Sequence, residues 1–382
     1  MGIGLFTNLF AQTISTTKFG KGINFIAADS SMSMKLTYRM QNLFEVVHDG
    51  TSNTAQTEAQ LRRSRLKFEG FAFSPKLEYK VELGLSSADI STDREDGRTG
   101  GSSRIVLDAV MKYELVEGWS MWVGQTKLPG NRERIVSSSD MQFVDRSLIN
   151  SRFNIDRDMG FQIHGSVKLG KMIFKPKGAF TMGEGRSISE ENLGGFNYTG
   201  RLDFLPLGEF EGKKADYIVT DFERQSKPKV SVGLTYNLND RAVRQQGQLG
   251  SYVKDAITGE YIENTLQHFE ADMIFKYKGF SSLVEWAYTT CDATTKGYNT
   301  GQGLTASIGY LFKNNYEIAT RFAGMSPIDG VASRLNAEDQ YTIGLSKYIV
   351  RHNLKIQSDF TIQDQVSKEL NYIYRLQFEL QL

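Results

Sequence analysis

Hydrophobic and polar residues alternate along most of this chain from residue 31 onward, and this pattern constrains the fold more than any other feature. Met34 and Leu36 share one face of the first segment, while Lys35 and Arg39 lie on the other. The same spacing recurs as far as 372–382. Because successive side chains of an extended strand point to opposite faces, the pattern predicts an all-β protein whose strands each have one apolar and one polar face.

The apolar residues are dispersed along the chain. They make up 40% of its 382 residues, yet no stretch approaches the roughly 18 to 20 apolar residues of a membrane-spanning helix. Segments such as 372–382 have the length that a tilted strand needs to cross a bilayer. A chain of this kind can enter a membrane only as a closed barrel. We count about 16 segments, an even number typical of bacterial outer-membrane barrels, and predict a transmembrane antiparallel β-barrel.

The lengths of the connections give independent support, because outer-membrane barrels alternate tight periplasmic turns with longer external loops. Short links at 74–76 and 278–279 alternate with long polar ones such as 47–60 and 128–157. The connection at 206–228 breaks this order, since a short turn is expected there. Either the strand register slips at this point or a periplasmic insertion is present.

One barrel over residues 31–382 accounts for nearly the whole chain. Residues 1–12 are apolar and contain a small Ala11 near their end, which resembles the end of a secretory signal peptide, although the basic residues that begin such a peptide are missing. We expect 1–12 to be a signal-peptide remnant and 13–30 to be a periplasmic N-terminal segment.

A soluble β-sandwich or β-helix is the structural alternative, because its strands also alternate. Such a fold would use shorter strands, of about five or six residues, and would seal the apolar faces in a shared core. The barrel interpretation instead predicts that Met34, Leu107 and Phe378 contact lipid hydrocarbon.

Charge and reactive residues exclude several classes of function. With 45 basic and 44 acidic residues, the chain lacks the basic excess of a nucleic-acid-binding protein. Cys291 is the single cysteine, so no intramolecular disulfide can form. The four histidines, His48, His164, His268 and His352, lie on separate segments without metal-ligand spacing. With no nucleophile or phosphate-loop motif either, the sequence predicts neither an enzyme nor a cofactor.

Residues 124–160 carry the most distinctive motifs. They read Gly124-Gln-Thr-Lys-Leu-Pro129, then Phe143-Val-Asp-Arg-Ser-Leu148, then Arg157-Asp-Met-Gly160. This arrangement resembles the phosphate-selective porin O and P family, and the general character of the sequence is similar to that of Bacteroidota proteins. The resemblance implies a 16-stranded, often trimeric outer-membrane porin whose third external loop folds into the lumen. By this analogy, 128–157 is the constriction loop.

Basic residues on the predicted lumen face are the candidates for ion selection. Rings or ladders of Arg and Lys in a pore favour anions, and the planar fork of arginine suits oxyanions. The candidates on the first two strands and in the loop are Lys35, Arg39, Arg63, Arg65, Lys67, Lys127, Arg132, Arg134, Arg146 and Arg157. Glu133, Asp145 and other acidic residues of the loop leave open a second interpretation, in which the arginines only hold the loop against the wall.

These observations predict a porin in the outer membrane of a Gram-negative bacterium. We expect it to contact lipid, to assemble as a homotrimer by family resemblance, and to conduct small hydrophilic or anionic solutes passively. Anion preference stays open at this stage. The alternative is a non-conducting, porin-like barrel that serves as an accessory protein in a larger assembly, with 206–228 as the segment that would bind a partner.

Overall fold

The computed structural model describes residues 13–15, 18–90, 104–292 and 297–382. The expected signal-peptide remnant at 1–12 lies outside these residues. The strands are β1 (Thr13–Ser15), β2 (Ile23–Ile26), β3 (Ser33–Asp49), β4 (Thr54–Ala72), β5 (Ser74–Gly84), β6 (Val106–Val116), β7 (Trp119–Lys127), β8 (Arg157–Gly165), β9 (Val167–Leu169), β10 (Met172–Thr181), β11 (Asn197–Leu205), β12 (Lys229–Ala242), β13 (Asn264–Tyr277), β14 (Phe280–Cys291), β15 (Gly301–Leu311), β16 (Tyr316–Ser326), β17 (Glu338–Val350), β18 (Leu354–Gln365) and β19 (Asn371–Gln381).

Helical structure in the described residues is short and lies between strands. It comprises α1 (Ser87–Ile90), α2 (Arg132–Ile135), α3 (Leu148–Phe153) and a 3₁₀ turn at Ala215–Tyr217. Among the described residues, no helix has the length and apolar character needed to cross a membrane.

The sheet closes on itself as an antiparallel barrel. Each strand from β3 to β19 pairs with the next along the chain, except that β8 and β9 lie end to end and both pair with β10. The last strand pairs with β3, with Phe378 opposite Asn42. With β1 and β2 preceding the barrel, the described residues contribute sixteen barrel strands. The predicted all-β barrel is therefore confirmed.

The two faces of the strands differ as the alternation predicts. Outward-facing Met111, Leu234 and Phe378 are 55%, 57% and 41% exposed. The inward-facing residues Asp108 and Ser231 are fully buried. A barrel with an apolar exterior and a polar interior has no second sheet against which to hide its apolar face, which excludes the sandwich alternative.

Leu107 is an exception, and its predicted outward position is wrong. Its side chain is only 2% exposed. The register of β5 and β6 shifts here, because Glu82 pairs with Asp108 but Leu83 pairs with Val106. The resulting bulge leaves Leu107 without a partner and turns its side chain to the inner face.

Tight turns gather at one end of the barrel and longer connections at the other. Lys278 and Gly279 join β13 to β14 with φ angles of 49° and 94°, the left-handed values of a two-residue hairpin turn. The predicted long loop at 47–60 is wrong, since β3 and β4 continue to a turn at 50–53. Most side chains of β4 between 54 and 60 are exposed and polar, and a strand end surrounded by water on both faces needs no apolar alternation.

The connection at 206–228 is an insertion rather than a register slip. The strands on either side keep a continuous register, with Phe204 opposite Val232. The insertion lies at the tight-turn end, and its apolar residues are buried against inward-facing apolar residues of the wall. The buried cluster consists of Phe210, Ala215 and Val219 with Ile173, Leu205, Ile274 and Leu283.

Candidate functional site in the barrel lumen

Arg132 joins the loop at 128–157 to strands β11 and β13 of the barrel wall. Its side chain is fully buried. Nε donates to Oδ1 of Asp272 at 2.7 Å, and Nη2 to Oδ1 of Asp203 at 3.1 Å. Nη1 donates to the carbonyl oxygen of Asp216 in the insertion at 2.6 Å. Burial alone would lower the pKa of Arg132, but the two carboxylates raise it above its usual value, so the guanidinium stays charged.

Arg134 and Arg157 are also bound to carboxylates. Arg134 donates through Nε to Oδ1 of Asp156 at 2.7 Å. Arg157 donates to Oδ1 of Asp108 at 3.0 Å and lies 3.7 Å from Asp156. Both arginines therefore fasten the base of the loop to the wall.

Lys127 and Arg146 are held by main-chain oxygens near the end of α2. The ammonium of Lys127 donates to the carbonyl oxygens of Arg134 and Val136 at 2.7 and 3.2 Å. Arg146 donates to the carbonyl oxygens of Glu133 and Val136 at 3.0 and 2.9 Å. The last carbonyl groups of a helix have no hydrogen-bond donor within the helix. Lys127 and Arg146 donate hydrogen bonds to these carbonyl groups.

Two residues on the first strands contact the same connection. Arg39 donates to Oγ of Ser138 at 2.8 Å and lies 3.7 Å from Glu379. Arg63 lies 3.2 Å from Asp145. Arg62, which the alternation alone places on the other face, also pairs with Asp145 at 2.8 Å, because a register shift between β3 and β4 occurs beside it.

The remaining wall candidates are paired along the barrel. Arg65 bonds to Glu82 at 3.0 Å. Lys35 and Lys67 both lie near Glu69, at 3.6 and 3.1 Å. Each of the ten predicted basic residues thus has a carboxylate or main-chain partner.

A cavity of about 870 Å³ occupies the lumen beside the wall formed by β3–β11. Part of 128–157 and part of the insertion form its remaining sides. Basic residues outnumber acidic ones in its lining: Arg39, Arg65, Lys67, Lys80, Lys112, Lys127, Arg157, Lys175, Lys177, Lys213 and Lys214 against Glu69, Glu82, Asp140, Glu209 and Asp216.

The cavity contains functional candidates that the sequence analysis missed. Lys112 is held over the ring of Trp122, with Nζ 4.0 Å from the ring centroid, and the other neighbour of that ring is His164, stacked at 3.9 Å. Its position on the polar face of β6 was the available signal. Lys213 and Lys214 lie in the insertion. Alternation predicts the direction of side chains only within strands, so it could not place these two lysines.

The sequence profile of the phosphate-selective porin O and P family matches residues 34–370. The chain belongs to this family. The porin is also 23% identical over 357 residues to an uncharacterized protein of Aquifex aeolicus, an alignment that covers 84% of the porin and 80% of the relative.

Solved outer-membrane proteins share the fold of this porin at low sequence identity. The anion-selective porin from Comamonas acidovorans superposes with a TM-score of 0.58 and 11% identity, over 92% of this porin and 100% of that chain. OprB of Pseudomonas putida gives 0.56 and 11%, over 93% and 95%. The trimer form of OmpT from Vibrio cholerae gives 0.55 and 10%, over 91% and 99%. Family and fold together identify an outer-membrane β-barrel and point to a channel rather than an enzyme.

Proposed function

We propose that this porin conducts small hydrophilic solutes passively and prefers small anions. The observation that carries the proposal is the excess of basic residues around the 870 Å³ lumen cavity. Charges that line the narrow part of a pore select ions by sign. The structurally similar Comamonas protein is described as anion-selective, which supports the same preference here.

In this proposal, the third external loop, 128–157, folds inward and constricts the lumen. Its hydrogen bonds to inward-facing side chains on distant strands support this role. Arg132 reaches Asp272 on β13 at 2.7 Å, and Nε2 of Gln142 donates to Glu317 on β16 at 2.7 Å. These strands lie five and eight places along the barrel from β7, which supports a loop that folds into the interior.

The solute path then lies off the barrel axis. The insertion at 206–228 packs on the wall around β10–β14, and α3 packs against β14–β16. The space left beside β3–β11 is the basic cavity. A solute that crosses the barrel there passes Lys112 and five of the ten predicted basic residues, namely Arg39, Arg65, Lys67, Lys127 and Arg157.

The assembly and the chain ends complete the proposal. The OmpT structure in its trimer form supports a homotrimer. Since β2 pairs with the start of β3 at the tight-turn end, the segment 13–30 is assigned to the periplasm. The signal-peptide remnant at 1–12 and a Bacteroidota source stay predictions from the sequence.

Planar-bilayer recording tests the function directly. The purified protein should form channels, and the reversal potential in a potassium chloride gradient should show chloride as the more permeant ion. Channels with equal or cation-favouring permeability would contradict the anion preference. If well-folded protein gave no channel events, the accessory-barrel alternative would replace the porin function.

A further inference from the structure

The insertion at 206–228 is fixed to the inside of the barrel by both apolar and polar contacts. Phe210 and Val219 are buried in the cluster with Ile274 and Leu283. On the polar side, the ammonium of Lys276 donates to the carbonyl oxygens of Ala215 and Thr220 at 2.8 and 3.2 Å. These contacts hold the backbone at the first residue of the 3₁₀ turn and three residues beyond its end, so the turn has a defined position in the lumen.

Lys213 and Lys214, just before this turn, line the basic cavity. Both residues are exposed. Lys214 has a left-handed backbone, with φ 55° and ψ 27°, which is uncommon for a residue with a side chain. Backbone conformations of this kind persist where the surrounding structure enforces them, and here the enforced turn presents two adjacent lysines to the solute path.

These lysines differ from most of the cavity's other cations in having no carboxylate partner. Lys80 lies 2.8 Å from Asp108, Lys175 2.6 Å from Asp216 and Lys177 2.6 Å from Asp203. In contrast, no carboxylate of the described residues lies within 4 Å of the ammonium groups of Lys112, Lys213 and Lys214.

Two acidic residues of the lining, Asp140 and Glu209, also lack an ion pair within the described ranges, so they offset part of this charge. Burial and the neighbouring charges both affect the pKa of Lys214. The pKa of Lys214 is lowered from its usual value. Burial and the like charges of Lys67, Lys213 and Lys80 lower this pKa, and Glu69 opposes the shift. Lys67 already lies 3.1 Å from Glu69, so that carboxylate is shared and a positive field remains around Lys214.

We propose that the 206–228 insertion is a second selectivity element, which uses Lys213 and Lys214 together with Lys112 to concentrate small anions at the tight-turn end of the path. The inference rests on the proposed function as an anion-preferring channel. It assigns selectivity to a segment other than the constriction loop and to lysines outside the ten basic residues predicted from the sequence.

The test compares the unmodified porin with the double variants K213Q/K214Q and K213E/K214E in planar bilayers. At about 8 Å in water, one unit charge changes the local concentration of a monovalent ion roughly twofold. K213Q/K214Q should therefore lower the chloride-over-potassium permeability ratio about two- to fivefold, and K213E/K214E should lower it further. The difference should shrink in concentrated salt, where the Debye length falls from about 10 Å at 0.1 M to about 3 Å at 1 M.

Lys227 provides the matched control. It is an exposed lysine in the same insertion but does not line the cavity, so K227Q should leave the ratio unchanged. Circular dichroism of each variant in detergent checks that the barrel is intact, which we expect because neither lysine packs in the apolar cluster.

The outcomes separate the two proposals. If the unmodified porin shows no anion preference, the proposed function fails. If it prefers chloride and K213Q/K214Q retains the same ratio, the function stands and the second selectivity element is rejected. A drop of equal size in K227Q would also reject it, because the effect would then reflect net charge rather than position.

Discussion

Arg132 and Asp272 are 140 residues apart in sequence, and their side chains meet at 2.7 Å inside the barrel. Neither side chain is exposed to solvent. The contact joins a loop at one end of β7 to the middle of β13, five strands further along the barrel. A buried ion pair of this kind restricts where the loop can lie, because in any other position Asp203 and Asp272 keep Arg201 but lose their second guanidinium.

Arg132→Met should release the loop and destabilise the barrel. Removing one partner of a buried ion pair costs about 3–5 kcal/mol. Asp203 and Asp272 both lose a donor here but keep Arg201, so we expect a loss toward the lower end of this range. The free energy of unfolding in detergent should fall by this amount, and single-channel conductance should rise or fluctuate. Arg241→Met is the control, since its ion pair with Glu263 is exposed and should contribute at most about 1 kcal/mol. Equal losses in both variants would contradict the role of Arg132.

Replacing Arg63 and Arg65 with Glu should lower the chloride-over-potassium ratio and also destabilise the protein. Both arginines lie against carboxylates, Arg63 at 3.2 Å from Asp145 and Arg65 at 3.0 Å from Glu82, so each new glutamate would face a like charge. Lys112→Gln should lower the ratio about twofold by the same Coulomb reasoning with little loss of stability. Bilayer recording combined with thermal unfolding distinguishes the two effects, and an unchanged ratio would remove Arg63 and Arg65 from the selectivity mechanism.

The contribution of Asp145 to the stability of the protein should depend on pH. Burial would raise its pKa, but Arg63 and Arg62 outweigh burial and hold it below its usual value. A depressed pKa in the folded state stabilises the protein above the unfolded pKa of about 3.9, and this contribution is lost as pH falls further. The destabilisation caused by Asp145→Asn should therefore be constant above about pH 5 and shrink below about pH 4. Unfolding at several pH values checks this, and a destabilisation that stayed the same below about pH 4 would contradict it.

Val219→Asp should detach the insertion from the wall. Val219 is 5% exposed in the apolar cluster, and placing a charge there costs several kcal/mol. We expect larger or noisier single-channel currents and faster proteolytic cleavage within 206–228, while β-sheet content is retained. K227Q again serves as the control. Unchanged conductance with confirmed cleavage would show that the insertion does not limit the path.

Local patterns were sufficient for most of the barrel. Phe269, Glu270 and Ala271 on β13 alternate in burial as the period of two requires, because a strand at the boundary of lipid and water needs one face of each kind. The prediction failed where that requirement lapses. At 54–60 both faces of β4 meet water, and at Leu107 a bulge inserts one residue and reverses the facing.

Inward-facing apolar residues were a signal that went unused. Ile274 and Leu283 occupy lumen positions on strands whose other inward side chains are mainly polar, and both are at most 5% exposed. Their burial by Phe210 and Val219 explains them. Such residues indicate that a separate segment covers the wall, but periodicity does not say which segment.

By itself, the sequence determined that the chain is a barrel and which face of most strands is apolar and which carries the charges, because these properties depend on neighbours one or two positions away. Only the tertiary structure decided which of those charges are matched. Arg132 is matched by Asp203 and Asp272 from distant strands, while Lys213 and Lys214 meet the water of the cavity. Coulomb interactions depend on distance in space, and closing the barrel brings together charges that lie far apart along the chain.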